Sequence, residues 1–257
     1  RSLQDDQYRL ARNKIEITNS KEFNPDILIP YLKLKHRGWS PFMSVYNWTN
    51  GKGKGWDKFV QKIGTPPTVY DPEMVDSSID NLTNHLEYLG YYGSHVSSEI
   101  KVRKKKVTVD YNVTLGKRYP IKEISLVLPQ HGEFREAFLA DTAGMSLKDG
   151  DYLAEQSLES VSEELATSMR NKGFYDFSKN HFFFEADTFS FPDKALLEMK
   201  VNEYTRNETP DQARPISRYV FNNVSISYPQ SLQIKDRLLK ELNTIRPGEI
   251  YSTDAVN

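Results

Sequence analysis

DPEMVDSSIDNLTNHLEYLGYYGSHVSSEIKVRKKKVTVDYNVTL, Asp71–Leu115, is the stretch that decides the fold. Asp71-Pro72-Glu73 sets a helix N-cap before a proline at the first helical position. Val75, Ile79, Leu82, Leu86 and Leu89 recur at steps of three and four and make one apolar helical face. Gly90 stops that helix, and Tyr91-Tyr92 turn the chain into a strand in which Val96, Ile100 and Val102 share one parity. After the basic turn Arg103-Lys104-Lys105-Lys106, residues Val107, Val109, Tyr111, Val113 and Leu115 alternate with Thr108, Asp110, Asn112 and Thr114, the period of a half-buried strand. The unit is a helix, a Gly-aromatic-aromatic joint and a hairpin.

Outward from this unit, Tyr8–Thr18 reads as a first strand, with Ile15 and Ile17 in phase. Asn24-Pro25-Asp26 repeats the cap-and-proline start, and Ile27, Leu28, Tyr31, Leu32 and Leu34 predict a short amphipathic helix that Pro30 must kink or begin. His36–Thr68 is irregular and holds Trp39, Trp48 and Trp56 with the run Gly51-Lys52-Gly53-Lys54-Gly55. That run lacks the G-x-x-x-x-G-K-[ST] pattern of a phosphate loop and reads as a basic turn. The tryptophans either pack the insertion onto its own domain or stand as surface anchors.

Downstream the pattern returns. Ile124, Leu126 and Leu128 mark a strand; Phe134 and Phe138 begin a helix ending near Gly144. Asp149 or Asp151 is the expected cap of the next helix, whose face is Leu158, Val161, Leu165 and Met169. Gly173-Phe174-Tyr175 then repeats the joint, followed by hairpin strands His181–Ala186 and Ala195–Val201. A polar segment with Pro210 and Pro215 separates a third start, in which Val224, Ile226 and Tyr228 predict a strand and Ile234, Leu238, Leu242 and Ile245 a helix. Ile15, Ile124 and Val224 align as first strands, and Tyr70, Tyr152 and Tyr251 as entrances to the second helix.

Composition narrows the function. The 257 residues carry 34 basic and 35 acidic side chains, so the basic excess of a nucleic-acid binder is missing. With no cysteine, disulfide scaffolds, thiolate metal sites and cysteine catalysis are excluded. Mean hydropathy is -0.64, and no apolar run approaches the ~18–20 residues of a membrane helix. The five histidines lack H-x-x-x-H or H-E-x-x-H spacing, and no G-x-S-x-G occurs. Neither an enzyme nor a cofactor or metal site is expected. A chain that starts at Arg1 is expected to be a piece of a longer protein.

The recurring strand–helix–helix–strand–strand with Gly-aromatic-aromatic joints resembles the POTRA module. Gly90-Tyr91-Tyr92, Gly173-Phe174-Tyr175, the Arg-Tyr starts at Arg118 and Arg218, and Gly144 and Gly248 carry the resemblance. Together with Tyr8–Ile15 and Lys62–Asp71 they look most like the TamA-like lipoproteins of Bacteroidetes, within the BamA-like and TamA-like outer-membrane assembly factors. The resemblance implies an α+β fold of tandem β-α-α-β-β modules, each a three-stranded mixed sheet with two helices on one face. The expected modules are 8–116, with the Trp-rich insertion at about 36–68, then 117–204, a linker at 205–216, and an incomplete third module at 217–257.

In that topology the first strand pairs with the last, and the leading strand of each hairpin is an edge. Such edges are implied to bind extended segments by β-augmentation. The implied site is Tyr92, Ser94, Val96, Ser98 and Ile100 in the first module, with Phe177, His181, Phe182, Phe183 and Phe184 in the second. His181-Phe182-Phe183-Phe184 puts aromatics on both strand faces, for client grip or for core packing. Four or five added hydrogen bonds at roughly 0.5–1.5 kcal/mol each imply transient binding. The implied partners are unfolded outer-membrane clients, a TamB-like protein, and a C-terminal β-barrel of the same chain. The implied location is the periplasm, tethered to the outer membrane. The contrasting reading is a surface adhesion or glycan-binding module that stacks sugars on Trp39, Trp48 and Trp56.

Overall fold

The computed structural model describes residues 8–35, 68–130, 132–225, 243 and 245–256. The chain divides into two compact units, Arg1–Arg118 and Tyr119–Asn257.

In the first unit, β1 (Arg9–Ile17) leads to a 3-10 helix (Pro25–Tyr31), α1 (Pro72–Tyr88), β2 (His95–Arg103) and β3 (Lys106–Thr114). The sheet order is β1-β3-β2. The first strand lies parallel to β3, with Ile15 beside Tyr111, and β2 runs antiparallel to it, with Val96 opposite Val113. The side chain of Asp71 accepts the Glu73 N–H at 3.0 Å, as an N-cap should. Val75, Leu82 and Leu86 are buried with Leu10, Leu28, Val107, Val109, Tyr111 and Val113. Buried Ser78 ties helix to chain: its hydroxyl donates to the Met74 carbonyl at 2.6 Å and accepts the Lys33 N–H at 2.9 Å. Gly90, at φ 85, ends α1, and the Tyr91 N–H returns to the Leu86 carbonyl at 2.9 Å.

The expected amphipathic helix after Asn24 is a 3-10 helix with Pro30 inside it. Proline offers no N–H, and its ring crowds the preceding turn of an α-helix. Leu28 alone is buried within that helix, and Leu32 and Leu34 are buried just beyond it. Ile27 and Tyr31, expected on the apolar face, are exposed.

The second unit repeats the order: β4 (Ile121–Val127), α2 (Glu133–Thr142), α3 (Glu155–Asn171), β5 (Phe182–Asp187) and β6 (Ala195–Val201), with sheet order β4-β6-β5. Its strands pair as in the first unit, β4 parallel and β5 antiparallel to β6. The core is aromatic: Phe134 meets Phe174 edge-on at 5.3 Å and Phe177 at 4.9 Å, and Phe138 lies 5.9 Å from Phe182. Helix α3 has Ala154 at its N-cap, not Asp149 or Asp151. Both carboxylates are engaged before the helix, Asp149 by the Ile124 N–H and Asp151 by the Lys148 N–H.

Each first strand is clasped by the segment that enters the second helix. Leu10 donates to Thr68 and Tyr70 to Tyr8; Ile121 donates to Asp151 and Leu153 to Tyr119; Phe221 donates to Glu249 and Tyr251 to Tyr219. This clasp aligns Tyr70 and Tyr251 with Leu153, so the expected match to Tyr152 is displaced by one residue. Gly248, whose N–H meets the Phe221 carbonyl, aligns with Gly150, whose N–H meets Ile121, rather than with Gly144. Both glycines have positive φ, 85 at Gly248 and 94 at Gly150, where a Cβ is strained. The third start thus carries the clasp and the short helix α4 (Thr253–Val256). Val224 lies outside any strand, and Ile226, Tyr228, Ile234, Leu238 and Leu242 lie outside the described residues.

Candidate functional site

The two hairpins each leave their leading strand at a sheet edge. Lys104 and Lys105 make a two-residue turn with φ 48 and 57, and Arg103 pairs with Lys106. In such a turn the flanking pair exchanges both hydrogen bonds, and pairs then alternate along the ladder. The N–H and C=O groups of Arg103, Lys101, Glu99 and Ser97 therefore face β3, while those of Val102, Ile100, Ser98 and Val96 face outward. No described residue pairs with that outer edge. Along the same residues the side chains change character: Val96 is 6 % exposed, Ile100 44 % and Val102 57 %. Apolar surface and unpaired backbone thus coincide over the hairpin half of β2. On the opposite face Lys101 bridges Asp110 at 2.8 Å and Glu99 at 3.1 Å, which leaves the apolar strip uncharged.

The second edge is shorter and partly occupied. The Asn202 N–H donates to the His181 carbonyl at 3.0 Å, which fixes the alternation so that Phe182, Phe184 and Ala186 turn their backbone groups outward. Arg206 Nε donates to the Phe182 carbonyl at 3.0 Å, and the Arg206 N–H to Asn180 at 2.9 Å. The Tyr204 ring lies 5.5 Å from that of Phe183. The segment after β6 therefore covers the start of β5.

Of the expected site residues, Val96, Ser98 and Ile100 lie on β2 and Phe182, Phe183 and Phe184 on β5. Tyr92 sits before β2 and bridges Lys117. Buried Ser94 donates its hydroxyl to the Tyr91 carbonyl and accepts the Gly116 N–H, so it serves the joint. Phe177 is a core residue ahead of β5. His181 closes a 3-10 turn that Ser178 caps, and it is buried. Burial pushes its imidazole below the ordinary pKa, against opposing effects of the Ser178 carbonyl, Glu208 and Asp176. Phe182 packs in the core while Phe183 and Phe184 are half-buried. Trp39, Trp48 and Trp56 lie outside the described residues. Val102 and Arg206 were not among the expected site residues. Val102 had the right parity, whereas nothing in the linker sequence marks Arg206 as an edge partner.

The joints bring together the motifs that recur in the sequence. The Arg118 guanidinium lies 4.8 Å from the centroid of the Tyr91 ring, and the Arg218 guanidinium 5.1 Å from that of Phe174. Among the described residues no group of three or more His, Asp or Glu is placed to hold a metal ion, and no helix is long and apolar enough to cross a membrane.

Residues 12–116 match the POTRA family, described as a surface antigen variable number repeat. No curated protein matches the chain. Among solved structures, POTRA3-5 of Haemophilus influenzae BamA is similar at 11 % identity and a TM-score of 0.47, over 99 % of this chain and 84 % of that one. BamA from Haemophilus ducreyi lacking POTRA domains 1-3 is similar at 12 % identity and a TM-score of 0.39, over 76 % of this chain and 30 % of that one. POTRA1-3 of Omp85 from Anabaena is similar at 11 % identity and a TM-score of 0.32, over 98 % of this chain and 82 % of that one. The sequence match is confined to the first unit, and the second unit repeats its strand order and strand pairing.

Proposed function

We propose that this chain is the periplasmic POTRA region of an Omp85-type outer-membrane assembly factor, a binding scaffold rather than an enzyme, and that β2 is its principal site. A segment of an unfolded outer-membrane protein adds to β2 as a fourth strand. The observation that carries this reading is the coincidence on β2 of outward backbone groups at Val96, Ser98, Ile100 and Val102 with the exposed apolar side chains of Ile100 and Val102. Backbone pairing reads no sequence, so one edge serves many clients.

Each added hydrogen bond contributes roughly 0.5–1.5 kcal/mol net. Ordering the client costs about 1–2 kcal/mol per residue. The two are of similar size, so the complex is weak and the apolar contact on Ile100 and Val102 decides whether it forms. Weak binding suits a surface that passes a chain onward to a membrane β-barrel. The finer assignments, a TamA-like lipoprotein of Bacteroidetes and docking of a TamB-like protein, rest on the sequence resemblance alone.

Hydrogen exchange followed by NMR tests the site. The ladder amides of Ser97, Glu99 and Lys101 are protected in the free protein. On addition of a urea-unfolded outer-membrane porin at low final urea, the amides of Val96, Ser98, Ile100 and Val102 should become protected. Protection confined to other segments, or none, removes β2 as the site.

A further inference from the structure

The hairpin tip between β5 and β6 presents one aromatic ring to solvent on a turn that is already ordered. Asp187 Oδ1 accepts the N–H groups of Phe189 at 2.8 Å and Ser190 at 3.0 Å, and its other oxygen accepts the Ser190 hydroxyl. These bonds hold the Asp187 carboxyl below its ordinary pKa, the Ser190 hydroxyl contributing most. Two residues on, Phe191 is drawn back to the sheet, with Lys122 Nζ 3.6 Å from its ring centroid. Phe189 remains 95 % exposed. A large apolar side chain on an ordered turn is a ready anchor, because little conformational freedom is left to lose when it binds.

The sheet face next to it is acidic. Strand register sets Glu123, Leu196 and Asp187 in one row and Ser125, Glu198 and Glu185 in the next. They line a shallow concavity of about 400 Å³. Lysines also stand around this face: Lys122 over Phe191, Lys194 at the parity of Leu196 and Glu198, and Lys200, paired with Phe183, in the row beyond. The four carboxylates of the concavity itself favour a positively charged rim and disfavour an anionic lipid surface.

We propose that Phe189 and the acidic face beside it form a docking surface for a partner protein that receives the ring in an apolar pocket rimmed by Lys and Arg. This surface uses a loop tip and a sheet face that includes Glu185 and Asp187 of the second edge strand, and it stands apart from β2, the proposed site of client addition.

The test places a photoreactive phenylalanine analogue at position 189 of the full-length protein in its own cells, with position 190 as control. The expected result is an adduct to one protein, mapped to a site flanked by Lys or Arg. Its yield should fall about tenfold when Glu123→Gln, Glu185→Gln and Glu198→Gln are combined, with the melting temperature unchanged, and should survive Ser98→Pro. An adduct with lipid, an adduct with a second copy of this chain, no adduct, or one insensitive to the three substitutions would overturn the proposal.

Discussion

The guanidinium of Arg218 lies over the ring of Phe174, 5.1 Å from its centroid, and joins the start of the third repeat to the Gly-aromatic-aromatic joint of the second. Around this pair the Tyr219 N–H donates to the Gly173 carbonyl at 2.8 Å. The Tyr175 ring meets Tyr251 edge-on at 4.9 Å. Gly173 makes the approach possible: a Cβ there would stand 2.7 Å from both the Arg218 and Ile250 side chains, and its φ is +98. Gly173→Ala therefore carries a backbone penalty of roughly 1–2 kcal/mol and pushes the third start away. Hydrogen exchange should accelerate at the Tyr219 and Tyr251 amides while Val109 and Tyr111 in the first unit keep their protection. Unchanged exchange at Tyr219 would show that the joint tolerates the methyl group.

The β2–β3 turn stores strain. Lys104 and Lys105 both adopt positive φ, a conformation that Asn-Gly takes with little penalty. Lys104→Asn combined with Lys105→Gly should stabilise the first unit by about 1 kcal/mol or more, read as a rise in the urea midpoint with unchanged slope. The second unit should melt as before.

Acid should loosen the second unit through His181. Burial lowers the folded-state pKa of this imidazole from 6.5. The unfolded chain then binds a proton that the folded chain refuses, so the stabilisation is complete above pH about 6.5 and is lost as pH falls toward the folded pKa. His181→Gln should flatten the fall in stability between pH 7.5 and 5.5. A slope identical to that of the parent would assign the pH dependence to other groups.

Arg206 closes the start of the second edge. Arg206→Ala frees the Phe182 carbonyl and leaves the core intact, so client cross-linking at position 184 should increase with little change in melting temperature. No increase would mean that β5 is unused whether open or closed.

Much of this architecture was legible in the residues. Asp71-Pro72, the Val75–Leu86 spacing and the Val107–Val113 alternation each state a local preference that packing then obeys. The pairing of the first strand with the last in each of the two units is what the resemblance to the POTRA module implied. The failures lie where a backbone bond outweighs a pattern. Pro30 turned an amphipathic spacing into a 3-10 helix. The clasp moved the equivalence of Tyr152 to Leu153. The edge strands begin later than the implied site residues Tyr92 and Phe177, because Ser94 and Gly116 build the first joint and Ser178 with His181 builds a turn. Arg206 reaches Phe182 from 24 positions away in sequence, a distance at which no periodicity speaks.

The central claim is that an outer-membrane client pairs with the outward groups of β2. Ser98→Pro removes one outward N–H without touching the ladder to β3, whereas Glu99→Pro removes a ladder bond and serves as the unfolding control. Binding of a fluorescent, urea-unfolded porin would be measured for the parent and Ser98→Pro after matching circular dichroism and melting curves. The account predicts that Ser98→Pro melts within a few degrees of the parent and binds the client about tenfold more weakly, a loss of about 1.4 kcal/mol. Equal binding by the parent and a fully folded Ser98→Pro protein would contradict it.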